Sequence, residues 1–245
     1  MIDVALTRAE VRRADMAVVI DVLRATSSIV QALASGYERV LCCESIERAE
    51  RLRGPGRVLA GERQCVPPPG FDLGNSPSGF TEPLATELVL ATTNGAPTLV
   101  EAANAAERVV VAALFNLRAV ADAVDGADVL LVCAGTDGRP SLDDVYVAGR
   151  IAVLLEGPRT DSARMAECVA ERYPDPAAAL AASQAARNLL DVSLEHDVRD
   201  CAQESIYAIV PEILRADDGV AEVTLPAAQI NGPSGVPPAE APRRS

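Results

Sequence analysis

From residue 17 to about residue 155 the chain repeats one pattern: a short run apolar on both faces, then a segment of helical spacing. The runs at 17–22, 39–42, 57–60, 88–91, 108–112 and 129–133 read as buried strands of a mostly parallel sheet. Helices begin at recognisable caps between them. Thr26 opens one that runs to Gly36, and Ser45 opens another. Asn94, Asn116 and Ser141 precede segments through Ala105, Val124 and Leu155. This βα alternation predicts an α/β fold. After Gly157 the pattern predicts helices over 162–173, 176–190 and 194–203, then strands over 206–210 and 220–225. Residues 1–225 read as one region, and residues 226–245 as a disordered tail. Residues 61–83, GERQCVPPPGFDLGNSPSGFTEP, are too long and too rich in Gly and Pro for a connector, which predicts a functional loop.

Composition narrows the chemistry. The net charge of −13 argues against nucleic acid and anionic membranes as partners, and no basic stripe with stacking aromatics offsets it. There is no Lys, which excludes Schiff-base chemistry and a Walker-type lysine. One His, His196, excludes a multi-His metal site. The six cysteines form no C-x-x-C motif, and no signal peptide or membrane span is visible, so the cytoplasm with reduced thiols is expected. Carboxylate, thiol, hydroxyl, Arg and metal remain for chemistry.

Ligands of parallel sheets gather at the carboxyl ends of strands, and helix starts favour anions. Five segments there carry polar groups. In D21-V-L-R-A-T-S27, Asp21 can hold a cation or accept a proton and Arg24 can clamp an oxyanion, with Thr26 and Ser27 beside them. The plain alternative is a helix cap with a surface ion pair. Glu62 and Arg63 follow the next strand, where a surface pair is the common outcome. Asn75 and Ser76 lie in a Gly-rich turn, and Thr92, Thr93 and Asn94 precede a helix; each alone is ordinary turn or cap chemistry. The fifth is C133-A-G-T-D-G-R139 with Ser141, Asp143 and Asp144. The two acids suit the first turn of a helix and also suit Mg²⁺. Jointly, carboxylates and oxyanion donors at one sheet edge, without usable His or Lys, point to Mg²⁺-assisted phosphoryl chemistry.

These blocks, VVIDVLRATSSIVQAL, GER, GFDLGNSP, ATTNGA and CAGTDGRPSLDDVYVAG, together resemble the 2-phosphosulfolactate phosphatase (ComB) family. The likeness is strong over 17–149 and continues weakly to about 211 through DVRDCAQES. It implies two α/β lobes sharing a cleft and a Mg²⁺-dependent phosphatase that converts 2-phospho-3-sulfolactate to 3-sulfolactate, the coenzyme M step of methanogens. Its matching polar positions are Asp21, Arg24, Thr26, Ser27, Glu62, Arg63, Asn75, Ser76, Thr92, Thr93, Asn94, Cys133, Ser141 and Asp144. Asp143 stands where the family usually has Glu, and Ala96 where it has a hydroxyl residue.

Three readings follow. In the first, Asp21, Glu62 and one of Asp143 and Asp144 bind Mg²⁺, while Arg24 and Arg63 hold a small anionic phosphorylated substrate. Thr26, Ser27, Asn75, Ser76, Thr92, Thr93 and Asn94 supply neutral donors. In the second, Cys133 is the nucleophile and Arg139 the clamp, at the C-x5-R spacing of cysteine phosphatases. In the third, the chain binds an anionic metabolite without turning it over. A homodimer is left open.

Overall fold

The computed structural model describes residues 1–230. Nine strands form one sheet: β1 (Ile2–Ala5), β2 (Ala14–Ile20), β3 (Arg39–Cys43), β4 (Arg57–Gly61), β5 (Glu87–Ala91), β6 (Ala106–Ala112), β7 (Val129–Cys133), β8 (Glu212–Asp217) and β9 (Val220–Thr224). Helices α1 (Ala25–Ser35), α2 (Ile46–Arg51), α3 (Gly95–Ala105), α4 (Leu117–Val124) and α5 (Leu142–Leu154) connect the parallel strands or cover them. Helices α6 (Asp161–Arg172), α7 (Pro176–Ala181), α8 (Gln184–Leu190) and α9 (Glu195–Asp200) follow as a helical layer, and α10 (Ala227–Ile230) comes after β9. Among the described residues no helix is long and apolar enough to cross a membrane.

The strand order is β1-β7-β2-β6-β8-β9-β3-β5-β4. The sheet is mostly parallel, because the sets β1-β7-β2-β6 and β3-β5-β4 are each parallel within themselves. The antiparallel hairpin β8–β9 joins the two sets. Three successive antiparallel steps reverse direction, so one parallel set runs opposite to the other along the sheet. The sequence pattern places all the polar strand ends at one edge, and pairing alone contradicts that. Twist resolves the conflict. At about 20–25° per neighbouring pair, the five steps from β2 to β5 turn the strands by about 100–125°. The carboxyl ends of the two sets then meet rather than diverge.

Packing follows the same geometry. One face gathers Ala17 and Val19 of β2, Val40 of β3, Leu88 and Leu90 of β5 and Val109 and Val111 of β6 around Ile29, Leu33 and Leu99 of α1 and α3. Both parallel sets therefore share one core. The other face carries α4 to α9 over β1, β7, β2 and β6, with Ile20, Leu131, Tyr146 and Ile151 fully buried. Small side chains let these layers approach closely. At Gly149 of α5 an added Cβ would collide with the Ala166 carbonyl of α6.

Several boundaries differ from the sequence pattern, each for a local reason. Thr26 is not a helix cap: its Oγ1 accepts from the Asp21 backbone N–H, 3.1 Å, inside the preceding turn. The expected helix over 176–190 is two, because Ser183 stops the first and caps the second by accepting from Ala186 N, 3.0 Å. The strand expected over 206–210 is displaced to Glu212–Asp217. Its residues instead bond to the turn after β6, with Tyr207 N donating to Phe115 O, 2.9 Å. The four-residue β1 carries too short an apolar run to stand out. The start of the expected disordered tail is the helical turn Ala227–Ile230, where Gln229 Oε1 accepts from Val210 N, 2.9 Å. Residues 231–245 lie outside the described residues.

Candidate active site

Asp21 follows β2 directly and is 7% exposed. Its Oδ1 accepts from Ala25 N, 3.2 Å, at the start of α1. Its Oδ2 faces the start of α3: a Cβ on Gly95 would stand 2.7 Å from it and overlap the Ala25 methyl. Glycine at 95 is thus what lets the beginnings of α1 and α3 close on this carboxylate. Burial pushes the Asp21 carboxyl from its ordinary 3.8 up to about 7, and the charges of Asp143 and Glu62 act in the same direction. The backbone N–H of Ala25 and the Arg24 charge oppose them.

Asp143 and Asp144 sit in the first turn of α5, 1% and 3% exposed. Burial pushes Asp143 up to about 6, and its Oδ1 accepts from Ser141 Oγ. Burial, then Asp143 and Asp21, also raises Asp144 well above the usual carboxylate range. Both Asp144 oxygens accept backbone N–H groups: Val22 N at 2.9 Å and Gly135 N at 3.0 Å. Asp144 therefore ties the loop after β2 to the loop after β7. Glu62 does the same across the other strand ends, accepting from Thr93 N at 2.8 Å and Cys65 N at 3.1 Å. Three buried carboxylates thus share one field.

Arg24, in the β2–α1 turn, is 3% exposed. The peptide bond joining Leu23 to it is cis. Its Nη1 donates to Asp197 Oδ2 at 2.5 Å and to Ser76 Oγ at 3.2 Å, and its Nη2 donates to Cys65 O at 2.7 Å. A cavity of about 60 Å³ opens among Asp21, Arg24, Glu62, Asn75, Thr92 and Asn94. Thr136, Leu23 and Cys65 also line it, as do Ala185, Asn188 and Leu189 of α8. Asn75 is 3% exposed and its Oδ1 has no hydrogen-bond partner. A second pocket of about 210 Å³ adjoins this one through Glu62 and Thr92, and Arg63 and Thr93 line it.

The structure therefore gathers Asp21, Arg24, Glu62, Asn75, Thr92 and Asn94 at one cavity, with Arg63 and Thr93 one step outside. It does not bring every candidate there: Asp143 and Asp144 are buried nearby and do not line the cavity. Thr26 and Ser27 are fully buried, and the Ser27 hydroxyl donates to Val22 O, 2.8 Å, so both shape the turn from behind. Thr92 Oγ1 accepts from Ala96 N, 2.8 Å, and so also caps α3. Ser76 is spent on Arg24 and Asp197.

The thiol–arginine pair is corrected. Cys133 is fully buried at the end of β7, among core side chains. Burial, with Asp144 and Asp143 next, raises its thiol well above the usual range, which is the reverse of what a nucleophile needs. Arg139 is exposed at the far side of a tight turn, where Thr136 and Arg139 exchange backbone hydrogen bonds. Sequence reasoning missed Asp197 and Asn188. Asp197 lies within DVRDCAQES, so the resemblance covered it, but an Asp on a short helix carries no signal of burial.

Comparison with known proteins bears on this geometry. A model described as 2-phosphosulpholactate phosphatase matches residues 3–215. A probable 2-phosphosulfolactate phosphatase of Thermus thermophilus is 40% identical over 219 residues, covering 84% of this chain and 91% of that one. A protein of the same name from Deinococcus radiodurans is 41% identical over 215 residues, covering 83% and 90%. Another, from Thermotoga maritima, is 36% identical over 219 residues, covering 87% and 96%. The matched span takes in every strand end that builds the cavity, together with Asp197, and the chain belongs to the 2-phosphosulpholactate phosphatase family.

Proposed function

We propose that this chain is a phosphatase of that family, with 2-phospho-3-sulfolactate or a related short 2-phospho acid as substrate and Mg²⁺ as cofactor. The observation that carries this reading is the cavity itself. One buried arginine and the buried carboxylate Asp21 face a space of about 60 Å³, with neutral amide and hydroxyl groups around it. That is room for one phosphoryl group, and the adjoining pocket of about 210 Å³ leaves room for the rest of a small acid.

The donor set fits a hard cation. Asp21, Asp143 and Asp144 are buried carboxylates whose proton affinity is raised, so the protein leaves their charge incompletely balanced. Among the described residues no group of three or more His, Cys, Asp or Glu side chains forms a ready cage. Mg²⁺ does not require one, because it binds through one or two carboxylates, waters and substrate phosphate. Asp21 and Glu62, the two carboxylates that line the cavity, are the residues that would hold it, with Asp143 buried nearby and Asp144 bracing the loops. When bound, the ion neutralises charge on the phosphoryl oxygens and lowers the pKa of water.

The chain's own groups supply the rest. Arg24 binds a phosphoryl oxygen, and Asn75 and Asn94 orient the substrate through neutral hydrogen bonds. A full-chain preparation assayed for phosphate release across a panel of 2-phospho acids, with and without Mg²⁺, tests this. Mg²⁺-dependent release from 2-phospho-3-sulfolactate or a close analogue is expected; no release from any member of the panel refutes the reading.

A further inference from the structure

Arg24 is the cation of the cavity, and what fixes it comes from outside the sheet. A guanidinium carries five N–H donors in a rigid plane. Two Nη1 contacts go to Asp197 and Ser76 and one Nη2 contact goes to Cys65 O. Nε and the second Nη2 hydrogen have no partner, and Arg24 lines the cavity. Asp197 sits in α9, fully buried, and its Oδ2 also accepts from Ser76 Oγ at 2.8 Å. Arg24, Ser76 and Asp197 thus close a ring of three hydrogen bonds from three chain segments. The other oxygen, Oδ1, has no hydrogen-bond partner and lies 3.4 Å from His196 Nε2.

A buried ion pair is a poor device for stability, since desolvation offsets most of the attraction. Three acceptors on two nitrogens of a guanidinium, Asp197 and Ser76 at Nη1 and Cys65 O at Nη2, instead set its plane, and a site needs its groups placed within about 0.5 Å. We propose that Asp197, with Ser76, is a positioning residue that holds Arg24 from behind and so aims its two remaining donors at the phosphoryl group of the substrate. This rests on the phosphatase reading above. The helical layer from 176 to 205 thereby reaches the site twice, with Asn188 in the cavity wall and with Asp197 behind Arg24.

The test uses the full chain and two readouts: kcat and KM for phosphate release, and calorimetric affinity for inorganic phosphate. Asp197→Asn keeps the shape and removes the charge. It is expected to raise KM and weaken phosphate binding by roughly 10- to 100-fold, with a smaller change in kcat. Ser76→Ala, a milder change on a half-buried residue, is expected to move both in the same direction by a few-fold and serves if the Asn variant does not fold. In an Arg24→Ala background both substitutions are expected to change kcat/KM by less than about twofold. Unchanged phosphate affinity in both single variants, or losses that add fully to that of Arg24→Ala, overturns the proposal. Wild-type protein that binds phosphate yet hydrolyses no 2-phospho acid overturns the proposed reaction instead.

Discussion

Replacing Asp21 by Asn should make the metal-free protein more stable at pH 8 while abolishing its activity. Asn keeps the size of the side chain and an oxygen to accept from Ala25 N, but carries no charge. The carboxyl is pushed from 3.8 to about 7, chiefly by burial. At about 1.4 kcal/mol for each tenfold in proton affinity, the ionised form is disfavoured by about 4 kcal/mol in the fold. The sign follows from proton linkage. A carboxyl with a raised folded pKa favours the fold fully below pH 4 and loses that contribution as pH rises to about 7. The wild type should therefore weaken over this window in the presence of chelator, and Asp21→Asn should weaken less. Local relaxation makes about 2 kcal/mol a fair expectation for the difference at pH 8, with little at pH 4. For an m-value of about 3 kcal/mol/M, that is a shift of roughly 0.7 M in the urea midpoint. Urea unfolding at both pH values, in chelator, measures it. An equal shift at pH 4 and pH 8, or a loss at pH 8, would refute the account of Asp21 as a buried, under-compensated charge.

Two other substitutions probe the same geometry. Gly95→Ala places a methyl 2.7 Å from Asp21 Oδ2 and into Ala25, so it should cut phosphate release by tenfold or more and cost roughly 1–3 kcal/mol by thermal unfolding; near-wild-type turnover would mean that Asp21 does not have to sit where it does. Cys133→Ser should leave phosphate release within about threefold of wild type, because the thiol is a core group; a loss beyond 100-fold would restore the nucleophile reading.

The α/β class was legible because each buried strand of a parallel sheet is a nearly continuous apolar run, as in Val129–Cys133. The positions after those runs were legible as polar, which is why Asp21, Arg24 and Glu62 stand out. The relation between the two parallel sets was not. Nothing in the runs states that β8 and β9 reverse direction between them, and the hairpin that does so follows the helical layer, almost at the end of the described chain. Thr26 and Ser27 show a second limit: a hydroxyl at a helix start looks the same whether it faces a ligand or its own turn. Asp197 shows a third, since its burial is made by tertiary packing of α9 and leaves no local pattern. Cys133 was ambiguous for the same reason. Spacing suggested a nucleophile, and only the packing around it decides that it is core.

The most direct test of the central claim is phosphate release from 2-phospho-3-sulfolactate by the wild type and by Asp21→Asn, each with Mg²⁺ and with chelator. The account predicts release by the wild type with Mg²⁺, loss of that release in chelator, and no release by the variant under either condition. Equal release by the folded variant, or wild-type release untouched by chelator, would contradict it.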